Sequence, residues 1–254
     1  MLAEPRRIQI LELLREEGSA TVKRLSELFG VTAQTIRQDL DRLTQEGFIL
    51  RDHGGAFLKT IPEQVRSLTL QHSEHMDKKR AIGREAARYV HDTDSLILDC
   101  GSTVTELAKN LTDKKGLRIV TNALNIALLL GSVPGCELMM SGGVFKPPTL
   151  SLTGEKAEEF FTQLHVDALF LATGGISEDF SLTYPGLNDI PIKRAMIAAA
   201  SSVYLLADST KIGKPEFASL GSISMVDYLV TDAEIRRQDI LSIEKLGVKV
   251  LIAR

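Results

Sequence analysis

The sequence predicts an α/β chain in two parts, a small helical module with a hairpin followed by a doubly wound, mostly parallel sheet. Helical spacing of apolar residues dominates the chain before Gly47, and two short apolar runs joined at Gly54 and Gly55 come next. From Ser95 onward, short apolar runs alternate with helical segments. A chain of 254 residues is long enough for two domains with separate cores.

The first module has the pattern of a winged helix-turn-helix. Residues 5–16 and 22–29 show helical apolar spacing, and Gly30 ends the second of these helices. Only two residues separate that helix from a third, which begins at Thr32, a good N-cap residue. A short connection that contains glycine is typical of a helix-turn-helix. The strand candidates after the third helix supply the wing, so we assign this module to residues 1–59.

The third helix has a polar side that suits DNA. Ile36, Leu40 and Leu43 recur at helical spacing and should face a core, which leaves polar side chains of the first turns pointing outward. Glutamine pairs with adenine, arginine pairs with guanine, and a threonine methyl contacts thymine. The plain alternative is an amphipathic surface helix that faces only water. The expected DNA-binding residues are Lys23, Arg24, Thr32, Gln34, Thr35, Arg37, Gln38, Arg51 and His53.

Charge limits how this module binds DNA. Residues 1–59 contain nine basic and nine acidic side chains, so the module is neutral. Because phosphate contacts supply much of the affinity for DNA, a single copy should bind weakly. We therefore expect a homodimer or homotetramer that places two or more modules on a repeated or palindromic operator.

Four N-terminal stretches resemble a known family. Residues 7–14, 22–28, 35–40 (Thr-Ile-Arg-Gln-Asp-Leu) and 53–56 (His-Gly-Gly-Ala) are similar to the N-terminal motif of the DeoR family of bacterial transcription regulators. The resemblance implies a regulator that binds an operator in double-stranded DNA. The family usually has Arg-Arg-Asp where this chain has Arg37-Gln38-Asp39, so a different operator sequence is expected.

The second domain is expected over residues 77–254, after a polar linker at 60–76 that contains Pro62. Asp77 should cap a helix over residues 78–90. The strand candidates are 96–99, 118–121, 137–141, 166–172, 203–207, 228–231 and 249–252, and the helix candidates between them are 104–111, 123–130, 155–164, 193–201 and 233–241. An open sheet of this kind binds ligands beyond the carboxyl ends of its strands.

Small and polar residues follow the strands at that edge. The sharpest case is Asp99-Cys-Gly-Ser-Thr, where helix N–H groups favour an anion and Gly101 permits a close approach; simple N-capping by Ser102 or Thr103 is the alternative. We expect a pocket for a polyhydroxylated, phosphorylated molecule, with aspartates accepting from hydroxyl groups and lysines pairing with phosphate. The candidates are Asp99, Gly101, Ser102, Thr103, Asn122, Gly142, Gly143, Thr173, Gly174, Lys193, Asp208 and Lys211, and the resemblance to the DeoR family adds Asp189.

The second half also resembles the DeoR family. The matching stretches include Asp99-x-Gly-Ser-Thr, Ile192-Lys-Arg-Ala-Met-Ile and Ala207-Asp-Ser-Thr-Lys-Ile-Gly. This resemblance implies a sugar-phosphate sensor similar in fold to ribose-5-phosphate isomerase and the acyl-CoA transferases. Members commonly carry two glutamates where this chain has Asn188 and Asp189, followed by Pro191. A different sugar is therefore expected.

Several other classes of protein are disfavoured. Cys100 and Cys136 lack metal-ligand or redox spacing, so we expect two thiols in a reducing compartment, no metal and no cofactor. No dinucleotide or nucleoside-triphosphate glycine motif is present. A net charge of −3 argues against nucleic-acid packaging. Charged residues near the N-terminus and the lack of a long apolar run predict a cytoplasmic protein that does not enter the membrane.

The leading hypothesis is a DNA-binding transcriptional regulator, a repressor of a carbohydrate-catabolism operon that senses a phosphorylated sugar and is not an enzyme. Release of DNA by the effector is implied only by the family resemblance. The main alternative is a sugar-phosphate isomerase with an appended module, in which aspartates and lysines at the sheet edge move protons. The isomerase motif Asp-Gly-Ala-Asp-Glu is missing at the nearest strand end, Ala172-Thr-Gly-Gly-Ile. A scaffold whose winged module binds protein is the third possibility.

Overall fold

The computed structural model describes residues 3–46, 48–52, 55–58 and 74–254. The chain divides into two compact units, Met1–Glu74 and His75–Arg254. His53, Gly54 and most of the expected linker lie outside the described residues.

The first unit is a winged helix-turn-helix, as predicted. Its elements are α1 (Ala3–Glu17), β1 (Ser19–Thr21), α2 (Val22–Phe29), α3 (Ala33–Gln45), β2 (Ile49–Asp52) and β3 (Gly55–Leu58). The side-chain oxygens of Thr21 and Thr32 accept backbone N–H groups at the starts of α2 and α3, each at 3.2 Å. Gly30 ends α2 in the left-handed conformation, at φ 62°. The core includes Ile10, Leu14, Leu25, Ile36, Leu40 and Leu43, all buried.

The wing has one strand more than expected. β3 pairs in antiparallel fashion with β2 on one side and with β1 on the other. β1 has only three residues, too few to show a strand period, and it exists because its backbone pairs with β3.

The second unit contains six helices and twelve strands among its described residues. In chain order these are α4 (Met76–Ala87), β4 (Ser95–Leu98), α5 (Ser102–Lys109), β5 (Arg118–Thr121), α6 (Leu124–Leu130), β6 (Glu137–Met140), β7 (Val144–Lys146), β8 (Ser151–Thr153), α7 (Glu155–Thr162), β9 (Val166–Ala172), β10 (Gly175–Ile176), β11 (Ser181–Tyr184), α8 (Ile190–Ala198), β12 (Ala200–Leu206), β13 (Ala218–Ser222), β14 (Tyr228–Asp232), α9 (Arg237–Lys245) and β15 (Lys249–Ala253).

Seven of these strands form one wholly parallel sheet in the order β15-β14-β12-β9-β4-β5-β6. All seven correspond to the predicted strands. From β4 the chain builds outward through β5 to β6, and from β9 it builds toward the opposite edge. The strand order therefore reverses between β4 and β9, and a crevice for ligands opens beyond the carboxyl ends of strands at such a point.

Helices cover both faces of this sheet, so it is doubly wound. Leu96 and Leu98 of β4 pack with Ile82 of α4 and with α5 and α6 on one face. Ile97 points to the other face, into a core that contains Phe161 of α7 and residues of α8 and α9. The alternation follows from the two-residue period of a strand. Ile82 and Val90, which pack on the first of these faces, are both fully buried.

The structure corrects some details. α4 begins at Met76 with His75 at its N-cap, so Asp77 lies in the first turn and does not cap the helix. The two-stranded sheet β7–β8 and the three-stranded sheet β10–β11–β13 were not predicted, because strands of two to five residues outside the main sheet give little periodic signal. Cys100 and Cys136 are free thiols, and both are half-buried.

Candidate functional site

The outer side of α3 presents the expected polar residues. Gln34, Arg37 and Gln38 are exposed, and so are Thr32 at the N-cap and Lys23 on α2. Thr35 is half-buried, and its hydroxyl lies 2.9 Å from that of Thr32. The buried residues of α3 are on its opposite side. The first turns of α3 can therefore reach base edges without disturbing the core.

Two of the predicted basic contacts are held by carboxylates of the same module. Arg24 Nη2 donates to Glu17 Oε1 at 2.6 Å, and Arg51 donates to Asp41. A DNA phosphate must compete with these carboxylates for the two guanidinium groups. The predicted role of Arg24 and Arg51 therefore remains a prediction.

Asp39 has a structural position that the sequence analysis missed. It lies on the apolar side of α3, only 3% exposed, and accepts from Nε of Arg6 on α1 at 2.6 Å. A signal was present, since Asp39 stands between Ile36 and Leu43 at helical spacing. The aspartate therefore joins α3 to α1 and does not face DNA.

In the second unit, Asp99 and Lys193 form a buried ion pair at the reversal point of the sheet. Asp99 is fully buried, and Lys193 on α8 is 3% exposed. Besides the Lys193 ammonium, Asp99 accepts the backbone N–H groups of Cys100 at 2.7 Å and Ala172 at 3.1 Å. These bonds fix the end of β4 to the end of β9. Because three donors of the protein already use its oxygens, the role of Asp99 as an acceptor for ligand hydroxyls stays a prediction.

The surroundings of Lys193 keep it protonated. Burial alone would lower the pKa of Lys193, but the Asp99 carboxylate raises it above the ordinary value. The ring centroid of Tyr184 is 5.6 Å from the ammonium, and its hydroxyl donates to the carbonyl of Ala172 at 2.7 Å. Burial also raises the pKa of the Cys100 thiol, whose sulfur is 3.6 Å from Lys193 Nζ. This cluster stabilises the crevice, and Lys193 is not a free cation for phosphate.

Other predicted residues meet at the same edge. Lys211 Nζ donates to the carbonyl of Gly174 at 2.9 Å, and within the described residues this lysine has no carboxylate partner. Asp208 caps a short 3₁₀ turn by accepting the N–H of Thr210 at 3.0 Å. The hydroxyl of Thr173 donates to backbone carbonyls of the small sheet. Thr173 and Asp208 are thus used to shape the loops.

The start of α5 is arranged differently from simple N-capping. Gly101 is the N-cap residue, and neither Ser102 nor Thr103 caps the helix with its side chain. A Cβ on Gly101 would lie 2.7 Å from that of Ala172, and φ of 154° is unfavourable for other residues. The glycine therefore allows β4 and β9 to approach each other, and the first N–H groups of α5 are left for another acceptor.

Two buried acceptors stand at the ends of β5 and β6. Asn122 is fully buried and donates through Nδ2 to the carbonyl of Leu152, whereas Ser141 is 2% exposed. Within the described part of the chain, Asn122 Oδ1 and Ser141 Oγ lack hydrogen-bond partners. Gly142 and Gly143, which follow Ser141, are exposed. Unsatisfied buried polar atoms are costly, so a ligand hydroxyl at this edge would be stabilised by them.

Asp189 also lies at this edge, paired with a residue that the sequence analysis did not select. Lys146, the last residue of β7, donates to both carboxylate oxygens of Asp189 at 2.7 and 2.8 Å. No local motif marks Lys146, because its partner is 43 residues away in the chain. Only the folded structure brings the two together.

The described residues contain no group of three or more side chains placed to hold a metal ion. Across the same residues, no helix has both the length and the apolar character needed to cross a bilayer.

Comparisons with known proteins identify the two units. Residues 6–61 match the DeoR-like helix-turn-helix domain, and residues 74–233 match the DeoR C-terminal sensor domain. The chain is 31% identical over 252 residues to the HTH-type transcriptional repressor GlcR of Bacillus subtilis, covering 99% of this chain and 97% of that protein. It is 34% identical over 228 residues to the glycerol-3-phosphate regulon repressor of Escherichia coli, covering 88% of each.

Among solved structures, the chain is similar to ribose 5-phosphate isomerase A from Methanocaldococcus jannaschii, with 16% identity, 55% of each chain covered and a TM-score of 0.41. The family suggested by the sequence motifs is confirmed by the two domain matches, which together span most of the chain. The chain belongs to the DeoR family of transcriptional regulators, with a DNA-binding helix-turn-helix unit followed by a sensor unit.

Proposed function

We propose that this regulator represses a carbohydrate operon in the cytoplasm, and that a phosphorylated sugar bound at the carboxyl edge of the parallel sheet releases it from DNA. The proposal is supported chiefly by the groups around the reversal point between β4 and β9. Lys211 and the first N–H groups of α5 suit a phosphate, and the unpartnered acceptors of Asn122 and Ser141 suit sugar hydroxyls.

The DNA-binding unit works in this proposal as one of at least two copies. Its basic and acidic residues are equal in number, and two of the arginines predicted to contact DNA, Arg24 and Arg51, are paired with carboxylates of their own module. A homodimer would double the phosphate contacts of one module, a homotetramer would add more, and either would match an operator with repeated half-sites.

A sugar-phosphate isomerase fits the site less well. A base for proton transfer needs an accessible group whose pKa lies near neutrality. Asp99 is fully buried and bonded to three donors, and the pKa of Lys193 is raised, so that it holds its proton. These two residues are suited to supporting the crevice.

A thermal-shift screen of purified protein tests the ligand class. Hexose, pentose and glycerol monophosphates are compared with the same molecules lacking phosphate. A ligand that binds only the folded protein raises the apparent stability, by about 2.7 kcal/mol at a concentration of 100 times Kd. We expect at least one monophosphate, and none of the unphosphorylated compounds, to raise the melting temperature. A response to unphosphorylated sugars alone would refute the proposed effector class.

Arg37→Ala should reduce preference for particular DNA sequences. Arg37 is exposed on the first turns of α3, and loss of a bidentate contact with guanine typically costs about 1 to 3 kcal/mol. Operators are first selected from a random DNA library with the wild-type protein. Binding of single-base variants of that operator is then measured, and the arginine-dependent discrimination should disappear at one position of each half-site. A uniform loss across all variants would mean that Arg37 touches only phosphate.

Lys211→Met should lower the affinity for the sugar phosphate while leaving DNA binding unchanged in the absence of ligand. The lysine is half-buried at the sheet edge, and a charge-assisted bond to phosphate contributes about 1.5 to 3 kcal/mol. Titration calorimetry measures the affinity, and Lys214→Met, which removes an exposed lysine nearby in the chain, serves as the control. Equal effects of the two substitutions would show that general surface charge, not a contact, attracts the ligand.

A further inference from the structure

The Lys146–Asp189 ion pair connects two segments that are fixed to different strands of the sheet. Lys146 belongs to the β7–β8 hairpin, and β8 is held at the end of β5, because the Leu152 N–H donates to the carbonyl of Asn122 at 2.8 Å. Asn122 in turn donates to the carbonyl of Leu152. The hairpin is therefore held by hydrogen bonds at the carboxyl edge of the sheet, next to the end of β5.

Asp189 is held at the same carboxyl edge of the sheet, next to the end of β4. It stands immediately before α8, and one turn later in that helix Lys193 is held by the buried carboxylate of Asp99. The ion pair between Lys146 and Asp189 therefore links the β5 side of the edge to the β4 side. It lies among the residues expected to meet the effector, yet it is formed entirely by the protein.

Asp189 uses its carboxylate for Lys146 alone among the described contacts. It occupies the N-cap position of α8, where aspartate commonly accepts a helix N–H, but its side chain makes no such bond. Both oxygens lie within 2.8 Å of Lys146 Nζ. The Lys146 side chain is 29% exposed and that of Asp189 is 9% exposed, so an anion from solvent can approach the lysine end of the pair.

The two lysines that the sequence predicted for this edge, Lys193 and Lys211, differ from Lys146. Lys193 cannot exchange its partner, because Asp99 is fully buried and also anchors two backbone N–H groups. Lys211 has no described carboxylate partner and needs no exchange. Of these three lysines, Lys146 is the one that is both partly exposed and paired with a replaceable carboxylate.

We propose that the Asp189 carboxylate stands in for the phosphate of the effector, and that effector binding displaces it from Lys146. This inference rests on the proposed function for the identity of the sugar phosphate. A phosphate monoester carries a charge of about −1.5 to −2 and three acceptor oxygens, so it pairs with an ammonium group more strongly than one carboxylate does. Displacement leaves Lys146 paired with the phosphate and lets Asp189 turn to solvent. The β7–β8 hairpin then loses its ion pair with the residue that precedes α8.

The test is a double-mutant cycle on the full chain, with titration calorimetry as the readout. Lys146→Met, Asp189→Asn and the double variant are titrated with inorganic phosphate and with each monophosphate that binds the wild-type protein. Lys156→Met and Glu159→Gln are the matched controls, because these residues form an exposed ion pair on α7 and change the net charge equally. Circular dichroism confirms that each variant is folded.

Asp189→Asn should bind the phosphate compounds at least several-fold more tightly than the wild type, since Lys146 no longer has an internal competitor. Lys146→Met should bind about tenfold or more weakly, as expected for loss of one charge-assisted hydrogen bond. In the Lys146→Met background, Asp189→Asn should have little further effect. The two control substitutions, Lys156→Met and Glu159→Gln, should each leave the affinity for the phosphate compounds nearly unchanged.

Weaker binding by Asp189→Asn would overturn the inference and show that Asp189 contacts the ligand directly. Unchanged binding by Lys146→Met would overturn it as well, while tight binding of a sugar phosphate to the wild type would leave the proposed function intact. If inorganic phosphate follows the predicted pattern but no sugar phosphate binds, the exchange stands and the proposed effector class falls. If no phosphate compound binds any variant, both are wrong.

Discussion

Asp99→Ala should lower the free energy of unfolding of the sensor unit by about 3 to 5 kcal/mol. The substitution removes the carboxylate from a fully buried ion pair and leaves the Lys193 ammonium, 3% exposed, without it. It also removes the acceptor for the backbone N–H groups of Cys100 and Ala172, which joins the ends of β4 and β9. The expected effect is therefore on folding first, and on effector binding only as a result.

Urea unfolding followed by circular dichroism measures this change for the second unit. Asp113→Ala removes an exposed carboxylate and should change stability by no more than about 0.5 kcal/mol. Adding Lys193→Met to Asp99→Ala should recover part of the loss, because the buried charge is then gone. A stable Asp99→Ala protein that no longer binds sugar phosphate would contradict this account and return Asp99 to the role of a ligand acceptor.

Asp39→Ala should destabilise the winged helix-turn-helix by about 3 to 5 kcal/mol. Asp39 and Arg6 are 3% and 5% exposed, and their bond joins α3 to α1. A small domain has few kcal/mol of stability to lose, so this substitution should unfold a large fraction of the DNA-binding unit. DNA binding should then fail at every sequence, in contrast to the base-specific defect expected for Arg37→Ala.

Hydrogen exchange of the amides of α1 and α3 in the full chain distinguishes folding from DNA contact. Asp39→Ala should remove protection from these amides, whereas Asp41→Ala, on the same helix but exposed and paired with Arg51, should cost less than about 1 kcal/mol. Native protection combined with altered base preference would mean that Asp39 acts at the DNA surface and that its buried bond is dispensable.

The sequence was sufficient for the parts of the fold that repeat a period. The seven strands of the parallel sheet are marked by short apolar runs, the helices between them by helical spacing, and Thr32 is a recognisable cap. β1 exists because it pairs with β3, far away in the chain, and β8 has only three residues, so the local sequence gives no signal for either strand.

The candidate site was predicted as a location but not as a set of contacts. Polar residues after parallel strands identify the edge where Asp99, Asn122 and Lys211 meet. Their roles depend on distances that the sequence does not contain. The carboxylate of Asp99 is paired with Lys193, while Lys146 lies at the site because it belongs to a hairpin that was not predicted.

The most direct test of the central claim measures how DNA and sugar phosphate affect each other. Operator DNA is selected from a random library, and a monophosphate is taken from the thermal-shift screen. The affinity for that monophosphate is then measured for the free protein and for protein saturated with the operator. Linkage requires the same factor in both directions, typically about 5- to 150-fold. We predict weaker ligand binding to the DNA complex and equally weakened DNA binding with ligand; equal affinities in the two states would contradict control by a phosphorylated sugar.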